Sequence, residues 1–491
     1  RVATVDIGAQ SIAGTINIIL RQAMRKAQRE VKATASSRVG RGAVQLDGQF
    51  SDRLDGLSYS LGAGLGRRSE AWPSDITQEG TAPSGAPTLE RITRRRAYGV
   101  ADTISLTPKI APQFGERDKV SFEAVLRHNR FDDHSNDQRE ALLGPLPNYS
   151  SDSQKLDLRT TLAQLRANWT HTLDGGGNVD TRLGTNYLRR ASDTRFLGQD
   201  DRQNLAMIER VTSATTETGL TAAGKLRLPY GDSHAIAIGW DGEQTRRDES
   251  RSQRQTSPIG RPVVDLDEQY RTTVQRLAVY AQDEWDVGDS LSAYAGIRWA
   301  MLRTSTDGQG LAAVGNRSSV VSPVLQVLWK PAAVPGDQIR FALSRTYKAP
   351  RAVDLIPRRF VAIDNTPTTP NLQGNPDLRP ELAWGIDLAY EHYLPGGGML
   401  SASVFHRRVR DLMRTLTTLE DEPGFDNPRW VARPQNVGEA TTQGVELEAK
   451  FKLNELVDDA PAVELRANLS LLRSSVDSVP GPDNRLDSQP G

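Results

Sequence analysis

The chain has 491 residues, and its 61 basic and 61 acidic side chains give a formal net charge of zero, which provides no basis for a nucleic-acid or other polyanion binder. Hydrophobic residues make up 37% of the chain, and no run of about 18 apolar residues occurs, which excludes a helical membrane protein. The composition allows a membrane β-barrel, because only alternate strand residues face lipid. The absence of cysteine excludes structural disulfides, cysteine-ligated zinc and thiol catalysis.

The two ends of the sequence predict a piece of a longer protein. Residues 1–10 contain no signal peptide, and position 1 is arginine rather than methionine. At the other end, Pro490 and Gly491 complete no recognisable element. From the sequence alone we expect truncation at both ends.

The first predicted element is a short strand preceded by glycines, within the run Gly8–Ile19. Glycine permits a tight backbone crossing, and the β-branched residues that follow favour an extended chain. The charged segment Arg21–Glu30 is expected to form a short helix, to which the sequence assigns no role.

Farther along the chain, apolar and polar residues alternate with a period of two. The segments that show this most clearly are Leu291–Met301, Leu382–Tyr390, Gly444–Leu453 and Val463–Leu471. A period of two predicts β-strands, and about ten residues is the length that crosses a bilayer at a tilt.

The predicted connections fall into two classes that alternate along the chain. The short, turn-like ones are Asp52–Gly56, Phe114–Asp118, Asp174–Asn178, Tyr230–Ser233, Asp286–Asp289, Lys330–Asp337, Pro395–Gly398 and Asn454–Pro461. The long, polar ones are Ala71–Glu90, His134–Ser153, Phe196–Thr212, Ser252–Asp265, Ser305–Arg317, Lys348–Pro380 and Thr415–Asn427. Tight periplasmic turns and long extracellular loops are typical of outer-membrane barrels. A soluble β-sandwich or adhesin module, the competing architecture, gives no reason for this sorting and has shorter strands.

The sequence therefore predicts the all-β class: a large antiparallel, up-and-down transmembrane β-barrel with about 17 strands present. Arginines cluster where strands meet the long loops, at Arg67–Arg68, Arg94–Arg96, Arg189–Arg190, Arg246–Arg247, Arg358–Arg359 and Arg407–Arg408. Neighbouring strand residues face opposite sides, so each pair directs one guanidinium inward and one outward. Inward arginines suit the carboxylate, catecholate or phosphate groups of a ligand, and outward ones suit lipopolysaccharide phosphates. A solvated rim with nearby acids is the third interpretation.

No pattern in the sequence indicates catalysis. The histidines are scattered, without metal-ligand spacing, at His128, His134, His171, His234, His392 and His406. No Gly-x-Ser-x-Gly nucleophile motif occurs. We therefore expect neither an enzyme nor a metal site nor a cofactor.

Four motifs resemble those of the TonB-dependent receptors. In chain order they are GAQSIAGTINII at Gly8–Ile19, SRTYKAP at Ser344–Pro350, NPDLRPE at Asn375–Glu381, and NVGEA with GVELE within Asn436–Glu448. The residues that match the family pattern are Gly8, Gly14, Asn17, Asn375, Pro376, Pro380, Glu381, Asn436, Gly438, Glu439, Gly444 and Glu446. The resemblance implies a 22-stranded barrel around an N-terminal plug. Residues 1–30 would be the last part of the plug and a linker, residues 1–20 would lie inside the wall, and residues 31–491 would be an incomplete barrel.

The resemblance also implies a function: active uptake of a scarce ligand, most often a ferric siderophore, across the outer membrane of a Gram-negative bacterium. The partners implied are the TonB energy-transducing complex, acting through a missing N-terminal part, and lipopolysaccharide, with no nucleic acid. The alternatives are a passive porin or another uncoupled outer-membrane barrel, or a receptor of this family for haem, cobalamin, oligosaccharide or peptide.

The longest loop, Lys348–Pro380, is the candidate ligand site. Its basic and aromatic side chains suit an anionic, partly aromatic chelate, through charge-assisted hydrogen bonds and cation–π contacts. The candidate ligand contacts are Tyr347, Lys348, Arg351, Arg358, Arg359 and Phe360, together with Arg94 and Arg96 from an earlier loop.

Overall fold

The structure is a computed structural model, and it describes residues 4–6, 27–38, 41–82, 84–145, 147–257, 262–309, 311–363, 365–421, 425, 427–457, 459–478 and 484–486. Within these residues the chain is almost entirely β-strand. The helical elements in this part are one short α-helix and one 3-10 turn: α1 (Ala352–Leu355) and Leu453–Glu455. None of the helices in the described ranges is long and apolar enough to cross a membrane.

The strands form a large wall and a smaller sheet, and are numbered in chain order. The wall contains β1 (Gln28–Arg38), β2 (Arg41–Leu54), β3 (Leu57–Ala71), β4 (Ser74–Thr81), β5 (Pro87–Phe114), β6 (Asp118–Leu143), β7 (Ser151–Thr172), β8 (Asn178–Gln199), β9 (Leu205–Tyr230), β10 (His234–Thr256), β11 (Pro262–Val287), β12 (Leu291–Gln309), β13 (Leu311–Trp329), β14 (Asp337–Lys348), β17 (Glu381–Tyr393), β18 (Met399–Arg410), β21 (Ala440–Lys452) and β22 (Glu464–Val476). The smaller sheet contains β15 (Arg359–Phe360), β16 (Asn371–Gln373), β19 (Met413–Glu420) and β20 (Arg429–Asn436).

The wall is an antiparallel meander. Apart from β4, each strand pairs with the next wall strand along the chain, from β1 with β2 through β21 with β22. Of the 18 strands, β4 pairs only with β5, beyond the end of β3, which leaves seventeen crossing strands. The predicted antiparallel order and strand number are confirmed. Within the described residues no pairing joins β1 to β22, so the sheet is open.

The eight short connections predicted from the sequence are also confirmed, and all lie at one end of the wall, the short-turn end. Between β9 and β10 the backbone reverses at Gly231, with φ of 61°, and between β11 and β12 at Gly288, with φ of 70°. Residues with a Cβ rarely adopt this conformation, which explains glycine there. The opposite end is called the loop end.

Most of the long connections are instead largely strand, which corrects the prediction for Ala71–Glu90, His134–Ser153, Phe196–Thr212, Ser252–Asp265 and Ser305–Arg317, and in part for Thr415–Asn427, of which residues 415–420 are strand. For example, β5 is 28 residues long and β6 is 26. The segments of β5 and β6 beyond the apolar band are mostly polar on both faces, so they lack the apolar alternation that reveals a strand. Their backbone groups are nevertheless paired with a neighbouring strand, which satisfies them without an apolar face.

The helix expected at Arg21–Glu30 is wrong for residues 28–30, which begin β1 and pair with β2. A helix of charged residues without an apolar face cannot pack against the rest of the protein and gains little stability from it. In the strand conformation, these residues instead form hydrogen bonds with β2. Residues 21–26 lie outside the described part of the chain. β1 thus begins just before the predicted domain boundary at residue 31.

The outward face of the wall is an apolar band. On β17, the outward Trp384, Ile386, Leu388 and Tyr390 are 44–47% exposed, whereas the inward Asp387 pairs with an arginine of β18. Exposed aromatic residues border this band at the short-turn end (Trp169, Tyr230, Trp285, Trp329 and Tyr390) and at the loop end (Tyr187, Trp240, Trp299 and Trp384). Two aromatic belts around an apolar band are the pattern of a barrel in lipid.

Residues 4–6 lie against the inward face of the wall. The Val5 amide donates to the Tyr294 hydroxyl at 2.9 Å, and Arg298 donates to the Val5 carbonyl at 3.2 Å. Lys225 of β9 forms an ion pair with Asp6 at 2.7 Å. These three residues therefore lie inside the wall. The run Gly8–Ile19, with the motif residues Gly8, Gly14 and Asn17, lies outside the described residues.

Candidate ligand-binding mouth

The two longest connections that remain irregular lie at the loop end, at residues 349–380 and 411–439. Together they form the smaller sheet, called here the mouth sheet, in the order β15, β16, β20 and β19. β16 pairs in parallel with β20, Asn371 lying opposite Val431, and both residues are completely buried. Two loops that are distant in sequence are thus joined as one unit.

Side-chain amides replace strand pairing where the mouth sheet is irregular. The side-chain oxygen Oδ1 of Asn371 accepts from the Ala362 backbone amide at 2.9 Å and from the Asn365 side-chain amide at 3.2 Å. Asn365 in turn donates to the Trp430 carbonyl and accepts from the Trp430 amide, both at 2.8 Å. Each buried backbone group so paired avoids the cost of desolvation without a partner.

The family-motif residues hold the bases of the two loops together. The Asn436 side chain donates to the carbonyls of Arg379 at 3.0 Å and Asp411 at 2.7 Å, and it accepts from the Arg379 amide at 2.9 Å. Asn375 donates to the Pro434 carbonyl at 3.1 Å. The NPDLRPE and NVGEA segments therefore act as one clasp.

Glu381, the first residue of β17 after Pro380, extends this clasp and is 3% exposed. Its carboxylate accepts from the Met413 amide at 2.8 Å and pairs with Lys348 at 3.3 Å. Asn316 donates to the Pro376 carbonyl at 2.8 Å. A buried carboxylate with these partners fixes where both loops leave the wall.

The other motif residues lie around the same base. Gly438 has a φ of 112°, and its carbonyl accepts from the Leu412 amide at 3.0 Å. Glu439 pairs with Arg408 at 2.6 Å and Arg410 at 3.3 Å. Gly444 and Glu446 lie on β21. A Cβ at Gly444 would meet the Leu471 carbonyl at 2.8 Å, so that position is tightly packed.

The loop 349–380 crosses to the opposite side of the wall. Gln253 of β10 donates to the Val361 carbonyl at 3.2 Å, and the Tyr149 hydroxyl donates to the Ile363 carbonyl at 3.2 Å. Gln78 of β4 donates to the Thr368 hydroxyl at 2.7 Å. Because the loop starts at β14, these contacts place it across the lumen at the loop end.

An ionic and aromatic cluster fastens the loop to β10 and β11, and is called the latch (Arg358, Phe360, Glu249, Arg251, Glu268 and Tyr270). Arg358 pairs with Glu249 at 2.5 Å and lies over the Tyr270 ring at 5.2 Å. Arg251 lies over the Phe360 ring at 3.9 Å. Arg251 is 4% exposed, so these contacts are largely removed from water. Desolvated cation–π contacts are worth about 2 kcal/mol or more.

Burial controls the electrostatics of the latch, which lies beyond the apolar band. Burial raises the pKa of the Glu268 carboxyl and that of the neighbouring Glu209. Burial also lowers the pKa of the Arg251 guanidinium, and the nearby Arg358 lowers it further. Among the described residues, the Nε and Nη1 atoms of Arg251 have no hydrogen-bond partner. Arg251 Nη1 lies 3.7 Å from Glu268 Oε2, so the two largely buried groups form a loose ion pair under the loop.

The structure gathers some of the predicted ligand contacts at the mouth. Arg358 and Phe360 lie in the latch, and Arg359 lies over the Phe425 ring at 5.6 Å. Lys348 pairs with Glu381 in the clasp, as described above. Arg351 pairs with Asp354 at 2.7 Å, and its side chain is 78% exposed.

Two groups of predicted contacts lie apart from the mouth surface. Tyr347 is 4% exposed and packs on the inward residues of β11, β12 and β13, among them Ala278. Arg94 and Arg96 lie on the outward side of β5, where they pair with Glu140 at 3.2 Å and Asp75 at 3.6 Å. The structure therefore does not bring Arg94 and Arg96 together with the latch.

The sequence analysis does not predict the wall side of the latch, because it places Ser252–Asp265 in a loop, whereas β10 continues to Thr256. A signal was present: the inward residues of β10 read Arg247, Glu249, Arg251, Gln253 and Gln255 in strict alternation. Five inward polar residues in succession at a strand end predict a partner inside the wall. No group of three potential metal ligands occurs in the part of the chain that the structure describes.

Gly374 offers a test of how tightly the loop is folded. A Cβ at this position would lie 2.1 Å from the Ile356 carbonyl oxygen and 2.8 Å from that of Asp354, and neither backbone atom can move alone. We expect Gly374→Ala to loosen the loop by about 1–3 kcal/mol, the usual range for overpacking. Hydrogen exchange of residues 352–376 in the intact receptor measures this. Gly175→Ala, which meets nothing within 4 Å, is the control, and unchanged protection in Gly374→Ala would contradict the packing described.

An antiparallel wall with an apolar belt, short turns at one end and an infolded loop at the other defines an outer-membrane β-barrel. The family profile described as TonB dependent receptor-like, beta-barrel, matches residues 115–490, and the chain belongs to the TonB-dependent receptor family. Members of this family are transporter receptors of the Gram-negative outer membrane, which is the location of this chain. A search of curated proteins finds no significant match.

Solved structures with the same fold include several receptors. The alcaligin outer-membrane receptor FauA of Bordetella pertussis is 15% identical, with a TM-score of 0.50, over 94% of this chain and 64% of that one. A variant of the ferric enterobactin receptor PfeA of Pseudomonas aeruginosa, in complex with enterobactin, is 16% identical with a TM-score of 0.59, over 94% and 65%. The copper transporter OprC is 12% identical with a TM-score of 0.56, over 93% and 63%. The chain thus spans slightly less than two thirds of these structures, and the likeness concerns the fold alone.

Proposed function

We propose that this chain is the barrel-forming part of a receptor that takes up a scarce small ligand by TonB-dependent transport. Family membership carries the proposal, and the infolded mouth sheet supports it, since a loop laid across the lumen suits capture of a ligand outside. In this proposal the residues before β1 are the end of a plug and its linker, and the barrel begins with β1 at Gln28, three residues before the predicted boundary at residue 31. A passive porin has no need of residues 4–6 fixed inside the wall.

We propose a ferric siderophore as the ligand. The mouth offers Lys348, Arg351 and Arg358 as cations and the exposed ring of Phe360. Guanidinium groups bind carboxylate and catecholate oxygens by charge-assisted hydrogen bonds and stack on aromatic rings. Haem, cobalamin, oligosaccharide and peptide remain the alternative ligands within the family. A receptor that moves its ligand unchanged needs no catalytic group, so we propose a non-enzymatic role.

Two partners complete the proposal. The first is the TonB energy-transducing complex, the partner that the name of the family itself implies. The second is lipopolysaccharide. Its phosphates suit outward arginines where the apolar band ends toward the loop end, such as Arg67 and Arg246. Arg67 is 71% exposed and 3.6 Å from Asp102, and Arg246 pairs with Asp248 at 2.9 Å.

A titration of the intact receptor with a ferric catecholate tests the ligand proposal. Replacing Arg358 and Arg359 together by alanine is expected to weaken binding by about 1.5–3 kcal/mol for each charge-assisted hydrogen bond lost, or at least about tenfold in Kd. Because Arg358 also fastens the loop, Glu249→Gln serves as a second variant. It loosens the latch but keeps the cation.

Binding that falls in the arginine variant and persists in Glu249→Gln identifies a direct contact between cation and ligand. The outward Arg246→Ala variant is the matched control for the loss of an arginine, and its affinity should equal that of the parent protein. Unchanged affinity of the double arginine variant for every ferric chelate tested rules out these side chains as ligand contacts.

A further inference from the structure

A repeated group of three side chains occupies the short-turn end of the outward face. In the first example, Asp118 begins β6 and lies opposite His171, near the end of β7. One carboxylate oxygen of Asp118 accepts from the Trp169 indole N–H at 2.8 Å and lies 2.8 Å from the His171 Nδ1. The side chains of His171 and Asp118 are each 32% exposed, so the group reaches the surface.

The second example has the same order. Asp337 begins β14 and lies opposite His392, near the end of β17. Its carboxylate lies 2.6 Å from the His392 Nδ1 and accepts from the Tyr390 hydroxyl at 2.9 Å. As in the first example, the aromatic residue precedes the histidine by two positions, so both lie on the same face of the strand.

The third example reverses the order. His234 begins β10, lies opposite Trp285 of β11 and stacks on its ring with centroids 5.2 Å apart. Asp283, two positions before Trp285 on the same face, lies 2.7 Å from the His234 Nδ1. A histidine in hydrogen-bond contact with an aspartate beside an aromatic ring thus recurs with different strand polarity.

The three groups share one position in the barrel. They lie on strand pairs β6–β7, β10–β11 and β14–β17, which are four wall strands apart each time. All three lie on the outward face of the wall, where the apolar band ends near the short turns, and within the aromatic belt at that end. In a membrane this border lies at the headgroups of the inner leaflet.

We propose that these three Asp–His–aromatic groups are binding sites for zwitterionic phospholipid headgroups that bear a primary ammonium and a phosphate. The carboxylate only accepts hydrogen bonds, so the histidine Nδ1 bears the proton, and Nε2 remains for an outside partner. A protonated histidine offers Nε2–H to the lipid phosphate, while the carboxylate and the aromatic ring receive the ammonium.

Charge complementarity selects this lipid class. An aspartate beside a protonated histidine has no net charge, which matches a headgroup of one ammonium and one phosphate. An anionic headgroup without an ammonium would face the carboxylate unpaired, and a quaternary ammonium cannot donate a hydrogen bond to it. The sites lie far from the mouth and do not depend on which ligand the receptor transports.

Native mass spectrometry of the intact receptor, extracted from nanodiscs with equal amounts of phosphatidylethanolamine, phosphatidylcholine and phosphatidylglycerol, tests the proposal. We expect the parent protein to retain phosphatidylethanolamine with an enrichment of about two- to fivefold per site, the range of exposed ionic contacts. The triple variant Asp118→Asn, Asp283→Asn and Asp337→Asn should lose this enrichment.

The matched control is His128→Asn with His406→Asn. In the described part of the chain, the side chains of these outward histidines form hydrogen bonds with neutral partners only, Thr161 at 2.9 Å and Gln443 at 3.2 Å, and their replacement should leave the enrichment intact. Single His171→Asn, His234→Asn and His392→Asn variants, each expected to remove one retained lipid, keep the test valid if the triple variant does not fold. Equal retention of all three lipids by the parent protein, or unchanged enrichment in the folded triple variant, overturns the proposal.

Discussion

Replacing Arg358 with alanine is expected to release the loop 349–380 from β10 and β11. Arg358 and Glu249 are 17% and 9% exposed, and breaking a buried ion pair costs about 3–5 kcal/mol. Glu249 keeps Arg247 as a second partner at 2.8 Å, so the lower end of this range applies. About 3 kcal/mol corresponds to a roughly hundredfold increase in loop opening. Hydrogen exchange of the loop in the intact receptor measures it.

The matched control is Arg351→Ala, in the same loop. Among the described residues, Arg351 pairs only with Asp354, three residues away, and its side chain is 78% exposed, so its loss should change the free energy of loop opening by about 0.5 kcal/mol or less. The double variant Arg358→Ala with Glu249→Gln should lower the free energy of loop opening by less than the sum of the two single variants, because it leaves no buried charge unpaired. Equal exchange in Arg358→Ala and Arg351→Ala would show that the latch does not hold the loop.

The crossing strands could be predicted because one of their faces is apolar. Leu382–Tyr390 lies wholly within β17, and Leu291–Met301 opens β12, since lipid outside and water inside impose a period of two. The same rule stops at the edge of the band. Beyond it both faces of β5 and β6 are polar, so the sequence shows no period, and only pairing with a neighbour reveals the strand.

The candidate site was predictable only in part, for a related reason. The loop Lys348–Pro380 and its arginines could be recognised from length and charge. The partner of Arg358, however, is Glu249, which is 109 positions away. Local spacing contains no information on such a contact, which depends on where the loop lies after the wall has formed. The outward position of Arg94 and Arg96 follows instead from strand parity, which could be applied only once the register of β5 was known.

The clasp gives the second large expected effect. Asn436 makes three hydrogen bonds that join the bases of both long loops, to the Arg379 carbonyl and amide and to the Asp411 carbonyl. A typical hydrogen bond contributes about 1 kcal/mol net, so Asn436→Ala should destabilise the joined loops by about 2–3 kcal/mol. That corresponds to roughly thirty- to hundredfold faster exchange. Since both loops share the clasp, exchange should rise together in residues 349–380 and 411–439, whereas Arg358→Ala should act mainly on the first.

Asn436→Asp separates this role from a simple loss of volume. The carboxylate can still accept from the Arg379 amide, but it cannot donate to the two carbonyls and repels them, so aspartate should be at least as disruptive as alanine. Asn204→Ala is the control, because within the described ranges the Asn204 side chain donates only to Asp200 in a tight turn, at 3.3 Å, and its loss should cost about 0.5 kcal/mol or less. If aspartate preserved protection in both loops, donation to the carbonyls would not be what joins them, and the clasp would reduce to the single bond from the Arg379 amide.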